Sequence, residues 1–274
     1  MTATPVRHPA VAGRFYPRDP KDLREEVLSY LAQTPHPKPV RARGCIAPHA
    51  GYMYSGHVAG AVFAGLEIPE LCLVMCPNHT GVGRPLAIVS DGAWETPLGD
   101  VPIDNDFAAA LKRRCRLLQE DSSAHRSEHA VEVELPFLQI RQPHLKFVPI
   151  ALGTGQFELL EQLGEAIADV IAHRSPVLIV ASSDMNHYES DAVTRVKDHR
   201  AIEPILALEA RALYDVVTQQ HISMCGFGPA VAMLTAVKKL GATSAELVKY
   251  ATSGDVSGEV DLVVGYAGVI VPAP

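Results

Sequence analysis

His49 and His79 each follow an apolar run that closes on a proline: Gly44-Cys45-Ile46-Ala47-Pro48-His49 and Leu71-Cys72-Leu73-Val74-Met75-Cys76-Pro77-Asn78-His79. A glycine comes soon after each, Gly51 and Gly81. A third run, Val177-Leu178-Ile179-Val180-Ala181-Ser182-Ser183-Asp184, leads to Asn186 and His187. Short apolar runs bounded by turn residues read as buried strands. In open α/β sheets, ligands and chemistry collect at the carboxyl ends of the strands. A proline before and a glycine after hold an imidazole on a rigid strand end, which suits a metal ligand or an acid–base group. Any one of these histidines could equally be a polar loop residue. The repetition carries the reading, because adjacent strand ends can converge on one ion.

Other residues join this set. In Ser182-Ser183-Asp184-Met185-Asn186-His187-Tyr188, Asp184 stands three residues before His187, as a support, a ligand or an acid–base partner. The competing reading makes Ser183 or Asp184 the N-cap of a short helix. In Glu128-His129-Ala130-Val131-Glu132-Val133-Glu134, the acidic residues suit a solvated first helical turn that complements the helix dipole. That explanation covers Glu132 and Glu134, but it leaves His129 without a purpose. Cys225 precedes a small-residue helix, where a thiol is expected to ionise more readily. Cys45, Cys72, Cys76 and Cys115 lie in apolar or helical context and read as small buried hydrophobes. Cys72 and Cys76 share one strand, which is no zinc knuckle. His8, His36, His144, His173 and His221 read as surface or turn residues, and His57, His125 and His199 are ambiguous. Tyr52, Tyr54 and Tyr188 flank the histidine segments and read as core or pocket-lining residues.

The elements that must position these groups follow from the pattern. Helices are expected at 20–32, 55–66 (with Ser55 as cap), 104–116, 129–141, 156–173, 198–217 and 226–240. Strands are expected near 43–48, 71–76, 86–90, 146–152, 177–182, 246–250 and 261–271. Residues 1–18, 34–43 and 94–100 read as irregular, loop and turn. Strands alternating with helices predict one α/β domain over residues 1–274, with a largely parallel or mixed central sheet and helices on both faces. The chain has 274 residues, enough to bury a large core without disulfides or a structural metal. Lys plus Arg is 24 and Asp plus Glu is 31, so the formal charge is −7 with no basic run. That balance argues against nucleic acid as a partner. No apolar stretch reaches about 18 residues, and residues 1–13 lack a signal-peptide core. Five cysteines, mostly in apolar runs, point to a reducing cytoplasm.

Ordered motifs along the whole chain resemble the Memo family, whose members are also described as AmmeMemoRadiSam system protein B. They are Ala-Gly-Arg-Phe-Tyr-Pro at 12–17, Ala-Pro-His-Ala-Gly-Tyr-Met-Tyr-Ser-Gly at 47–56, Pro-Asn-His at 77–79 and Trp-Glu-Thr-Pro-Leu-Gly at 94–99. Glu-His-Ala-Val-Glu-Val-Glu-Leu-Pro-Phe at 128–137, Ser-Ser-Asp-Met-Asn-His-Tyr at 182–188 and Cys-Gly at 225–226 complete them. The resemblance implies the fold of class III, LigB-type extradiol dioxygenases. Those enzymes bind Fe(II) through two histidines and a carboxylate. Carried over, it makes His49 and His79 the imidazole ligands and puts Cys225 in the third place. His187 and His129 become pocket groups that move protons, with Asp184 beside them. A thiolate in place of a carboxylate softens the site toward copper or zinc, although iron remains the first expectation.

Three functions are consistent with this. The first is a metal-dependent oxidoreductase of dioxygenase type. The second is a non-catalytic copper- or iron-binding module that accepts a small-molecule or peptide ligand, in redox or signalling processes. The third is a zinc hydrolase, disfavoured by the thiol. A homo-oligomer is compatible with all of them, and membrane association with none.

Overall fold

The computed structural model describes residues 5–33, 38–174 and 176–274. His36, residues 34–37 of the expected loop and the first four residues of the expected irregular start lie outside that range. Four parallel strands form the centre: β2 (Ala42–Ala47), β9 (Val177–Ser182), β3 (Leu71–Pro77) and β8 (Lys146–Leu152), side by side in that order. They are almost wholly buried and nearly continuous in aliphatic residues, as strands covered on both faces must be. Antiparallel strands extend the sheet on both sides. On the β2 side, β12 (Val263–Pro272) pairs with β2, and β10 (His187–Glu189) and β11 (Glu246–Thr252) pair with β12. On the β8 side β4 (Leu86–Ile88) pairs antiparallel with β8, and β7 (Gln119–Glu120) pairs parallel with β4. The sheet is therefore mixed, with a parallel core, as the sequence predicts.

One layer of helices, α1 (Pro20–Ala32), α2 (Tyr52–Ala64) and α4 (Ala130–Arg141), packs together against the sheet. A second layer is built on α5 (Phe157–Ile171) and α8 (Phe227–Lys239), with α3 (Asn105–Arg114) against α5 and α7 (Ala210–Gln219) against α8. The helix α6 (Asp191–Leu206) lies along β12, and the short α9 (Gly254–Ser257) follows β11. No helix among the described residues is long and apolar enough to cross a membrane.

Four local expectations change. The α2 helix begins at Tyr52 with Gly51 as its cap, and Ser55 is instead buried, its Oγ donating to Ala50 O at 3.1 Å. Residues 94–100 are a hairpin rather than a turn. In it β5 (Ala93–Thr96) pairs with β6 (Gly99–Pro102), and β1 (Val6–Arg7) adds a third strand from the nominally irregular start. The helix expected over 198–217 is two helices, α6 and α7, broken where Leu208 turns left-handed at φ 57°. No helix starts at Ser183 or Asp184: Ser183 Oγ donates to Asp184 O at 2.8 Å and accepts the Gly226 backbone N–H at 3.0 Å, and the Asp184 side chain serves the site below.

Candidate metal centre

The order β2, β9, β3 decides the site, since it sets the ends of three parallel strands side by side. His49 lies two residues past the end of β2. Its backbone N–H donates to Asp184 Oδ1 at 2.8 Å, and its ring Nδ1 lies 2.8 Å from Ser182 Oγ at the end of β9. The residue is 1% exposed. Burial pushes its pKa well below the ordinary value, and the nearby His79, His129 and His187 push the same way, so the ring is neutral.

His79 lies two residues past β3. Asn78 fixes the turn there, its Oδ1 accepting from the backbone N–H groups of Thr80 and Gly81, and Gly81 has φ 66°. The Glu128 carboxylate takes the His79 backbone N–H at 2.6 Å and its ring Nδ1 at 2.9 Å. Burial opposes protonation of this ring, but the Glu128 hydrogen bond and the Glu128 and Asp184 charges outweigh it and raise the pKa. His129 is the N-cap of α4, with its ring stacked on His79 at 4.8 Å and tilted against Phe15 at 4.8 Å. Burial lowers its pKa despite the Glu128 charge.

One ligand atom from each of His49, His79 and His129 can be chosen so that all lie within 4.8 Å of one another. Cys225 Sγ lies 3.3 Å from His49 Nε2 and receives the Asp184 backbone N–H at 3.3 Å. The thiol sits just before α8, as expected, but it does not ionise more readily there. Burial pushes its pKa up and the Asp184 charge adds to this, which outweighs a helix N-terminus. The other four cysteines are buried.

Asp184 does not cap a helix. It is buried against the His49 and Ala50 backbone amides, and burial raises its pKa to about 7. His187 begins β10, half-buried. Its Nδ1 lies 3.0 Å from Ser223 O, and its backbone N–H donates to Ser223 Oγ at 2.7 Å. Because a carbonyl only accepts, Nδ1 carries the hydrogen and Nε2 keeps a lone pair. Burial lowers the pKa of His187. Tyr188 beside it is 72% exposed, while Tyr52 is buried and its hydroxyl donates to Val133 O at 2.7 Å.

The reading of Glu132 and Glu134 as a solvated turn is wrong, since both are fully buried. Glu132 accepts from Arg7 Nη1 at 2.7 Å, the Ala10 and Val11 backbone N–H groups at 2.8 and 3.0 Å, and the Tyr16 hydroxyl at 2.6 Å. Glu134 reaches Ser182 Oγ at 2.7 Å, and burial pushes its pKa to about 8. The sequence reading also missed Ser182 and Arg7 as parts of the site's support. Ser182 carried a signal, as the first polar residue after an apolar run; Arg7 carried none.

These residues fit a transition-metal ion. Neutral imidazoles are the form that ligates. The Nδ1 atoms of His49 and His79 are occupied by Ser182 and Glu128, which leaves each Nε2 for an ion, and imidazole plus a soft sulfur suits iron, copper or zinc.

The fold and this cluster describe a mixed α/β protein with a metal-competent histidine site at the carboxyl edge of its parallel strands. A family model described as Memo-like protein matches residues 7–270. A MEMO1 family protein of Methanopyrus kandleri is 43% identical over 277 residues, covering 96% of this chain and 98% of the relative. One from Methanosarcina barkeri is 42% identical over 271 residues, covering 97% and 100%. The chain belongs to the Memo family. Among solved structures, an uncharacterized protein from Escherichia coli K12 matches with a TM-score of 0.53 at 11% identity, over 82% of this chain and 99% of that one, a likeness of fold.

Proposed function

We propose that this protein holds a single metal ion on His49, His79 and Cys225, with His129 in reach as a further nitrogen donor, in a pocket built for oxidoreductase chemistry of the dioxygenase type. The observation that carries this is the convergence of the His49, His79 and His129 ligand atoms within 4.8 Å, with Cys225 Sγ 3.3 Å from His49 Nε2. An iron ion bound there supplies Lewis acidity and one-electron redox chemistry. The protein's own groups do the rest. His187, its Nδ1–H held by Ser223 O, presents Nε2 as the base that takes a proton from a substrate hydroxyl. His129 is placed beside His79 to pass a proton on. Asp184, with a pKa near 7, holds or releases a proton at working pH. The occupant of the pocket is a small molecule or peptide that can chelate the ion.

The test is metal content and O₂ uptake of protein purified without oxygen, beside Cys225→Ala, His129→Ala and His187→Ala. About one iron per chain, lost in Cys225→Ala, with uptake stimulated by a catechol and abolished in His187→Ala, is the expected result. Retention of the ion in Cys225→Ala but not in His129→Ala would replace the thiol by the third histidine. The soft thiol beside His49 favours a second reading, a copper- or iron-binding module without turnover. Tight Cu(I) binding that needs Cys225, with no uptake for any chelating substrate, would select it.

A further inference from the structure

Ser182 Oγ stands at the centre of three contacts: Ala130 O at 3.0 Å, Glu134 Oε1 at 2.7 Å and His49 Nδ1 at 2.8 Å. A hydroxyl has one hydrogen to give and two lone pairs to fill. Ala130 O can only accept, so it takes the hydrogen. The other two partners must then donate. This requires a protonated Glu134 carboxyl and a hydrogen on His49 Nδ1. Any other assignment leaves two acceptors facing each other at hydrogen-bond distance in a buried site.

The surroundings of Glu134 agree with this count. It is fully buried, and its Oε2 has no hydrogen-bond partner among the described residues. The titratable groups that face it are Asp184, Cys45 from β2 and Tyr52 from α2, none of which supplies a positive charge. An ionised carboxylate there would be an uncompensated buried charge. Ala130 and Glu134 are four residues apart on α4, so one helical turn offers Ser182 both the acceptor and the donor.

We propose that Ser182 is a positioning residue: with its hydrogen given to Ala130 O it can only accept from His49, which fixes His49 in the tautomer with its hydrogen on Nδ1 and leaves Nε2 as a lone pair turned toward Cys225 and the histidine cluster, while Glu134 is held as a neutral acid on the remaining lone pair. The use of that lone pair by an ion rests on the metal reading above, but the tautomer does not. Metal-free protein therefore tests the proposal directly.

The experiment is histidine ¹⁵N NMR at pH 7 on the metal-free chain, with the His49 signals assigned by their loss in His49→Gln. The expected result is a neutral His49 with its hydrogen on Nδ1 in the wild type and in Glu134→Gln, whose amide still donates. In Ser182→Ala the acceptor of the Nδ1 hydrogen is gone, and the hydrogen moves wholly or partly to Nε2. A wild-type hydrogen on Nε2, or an unchanged tautomer in Ser182→Ala, would overturn the proposal. Infrared spectroscopy covers the case in which the Ser182→Ala variant does not fold. A protonated-carboxyl band is expected at pH 7 and lost in Glu134→Gln, and its absence from the wild type would overturn the proposal equally. Co(II) titration then separates the two readings. Affinity about tenfold or more lower in Ser182→Ala supports both. A fixed tautomer with no Co(II) bound leaves this proposal standing and removes the metal reading.

Discussion

Four N–H groups converge on the Glu128 carboxylate: the backbone and ring Nδ1 of His79, and the backbones of His129 and Ala130. With two imidazoles within its reach, this one side chain sets both the orientation and the charge of the cluster. Glu128→Gln keeps the shape but withdraws the negative charge. What then remains on His79 is burial, opposed only by the Asp184 charge, so its pKa is expected to fall from its raised position. An NMR titration of His79 checks this, and a pKa that stays raised would show that the charge comes from elsewhere. A loss of roughly 2 kcal/mol in stability should accompany it, since hydrogen bonds to charged groups are worth about 1.5–3 kcal/mol each. At this scale the sequence was legible where residue type and position agree, as in His49, His79 and His129. It misled at Glu132 and Glu134, because acidic residues in a first turn usually face water. Here α4 is covered from Ala130 to Leu138, so no solvent face marks which carboxylates are buried.

The glycines of α2 serve a contact between helices. A Cβ on Gly60 would come 2.7 Å from the Tyr30 backbone of α1, and one on Gly56 would come 2.5 Å from the Tyr30 ring. On the sheet side the gap is made by the strand instead, where Gly268 of β12 admits Val62 and Val58. Gly60→Ala should therefore destabilise by roughly 1–3 kcal/mol through overpacking, against the ~1 kcal/mol that alanine gains in a helix. A urea melt decides, and a more stable variant would mean that α1 moves freely. The same layer holds the N-terminal segment through Glu132 and Arg7. The Arg7 guanidinium also donates to His125 O at 2.8 Å and Glu128 O at 2.6 Å and lies 4.1 Å from the Trp94 ring centre. Glu132→Ala takes the carboxylate from this partly buried cation and leaves the Ala10, Val11 and Tyr16 donors without their acceptor, and is expected to cost about 3–5 kcal/mol, read by the same melts. Neither this tie nor the β5–β6 hairpin could be foreseen locally. Residues 7 and 132 are far apart in sequence, and the hairpin strands are only four residues long.

Strand order is the property of the whole molecule that the sequence hid. The histidines of β2 and β3 were legible as strand-end residues, but the insertion of β9 between them was not, and it is what brings Ser182 and Asp184 to His49. Burying so many titratable groups together leaves a mark on stability. Glu134 and Asp184 titrate at about 8 and about 7 in the folded chain, against roughly 4 when unfolded. Between those values the folded chain keeps protons that the unfolded chain has lost, so their contribution to stability falls as pH rises. His49 and His125 act in the opposite sense. Burial lowers their folded pKa values, that of His125 to about 4, so the stability they permit is present above roughly pH 6.5 and lost below it. His79, with a raised pKa, loses its contribution on the alkaline side, as the carboxyls do. From about pH 6.5 to about 8 the carboxyls and His79 remain, and all have the same sign. The melting temperature of the metal-free protein should therefore fall across that window. Glu134 alone contributes about 1.4 kcal/mol per pH unit over which it stays protonated, so Glu134→Gln should flatten the decline. Thermal melts followed by circular dichroism at half-unit steps would measure it. A flat or rising profile would mean that Glu134 is ionised in the folded chain, and an unflattened one that its proton is not the source of the slope.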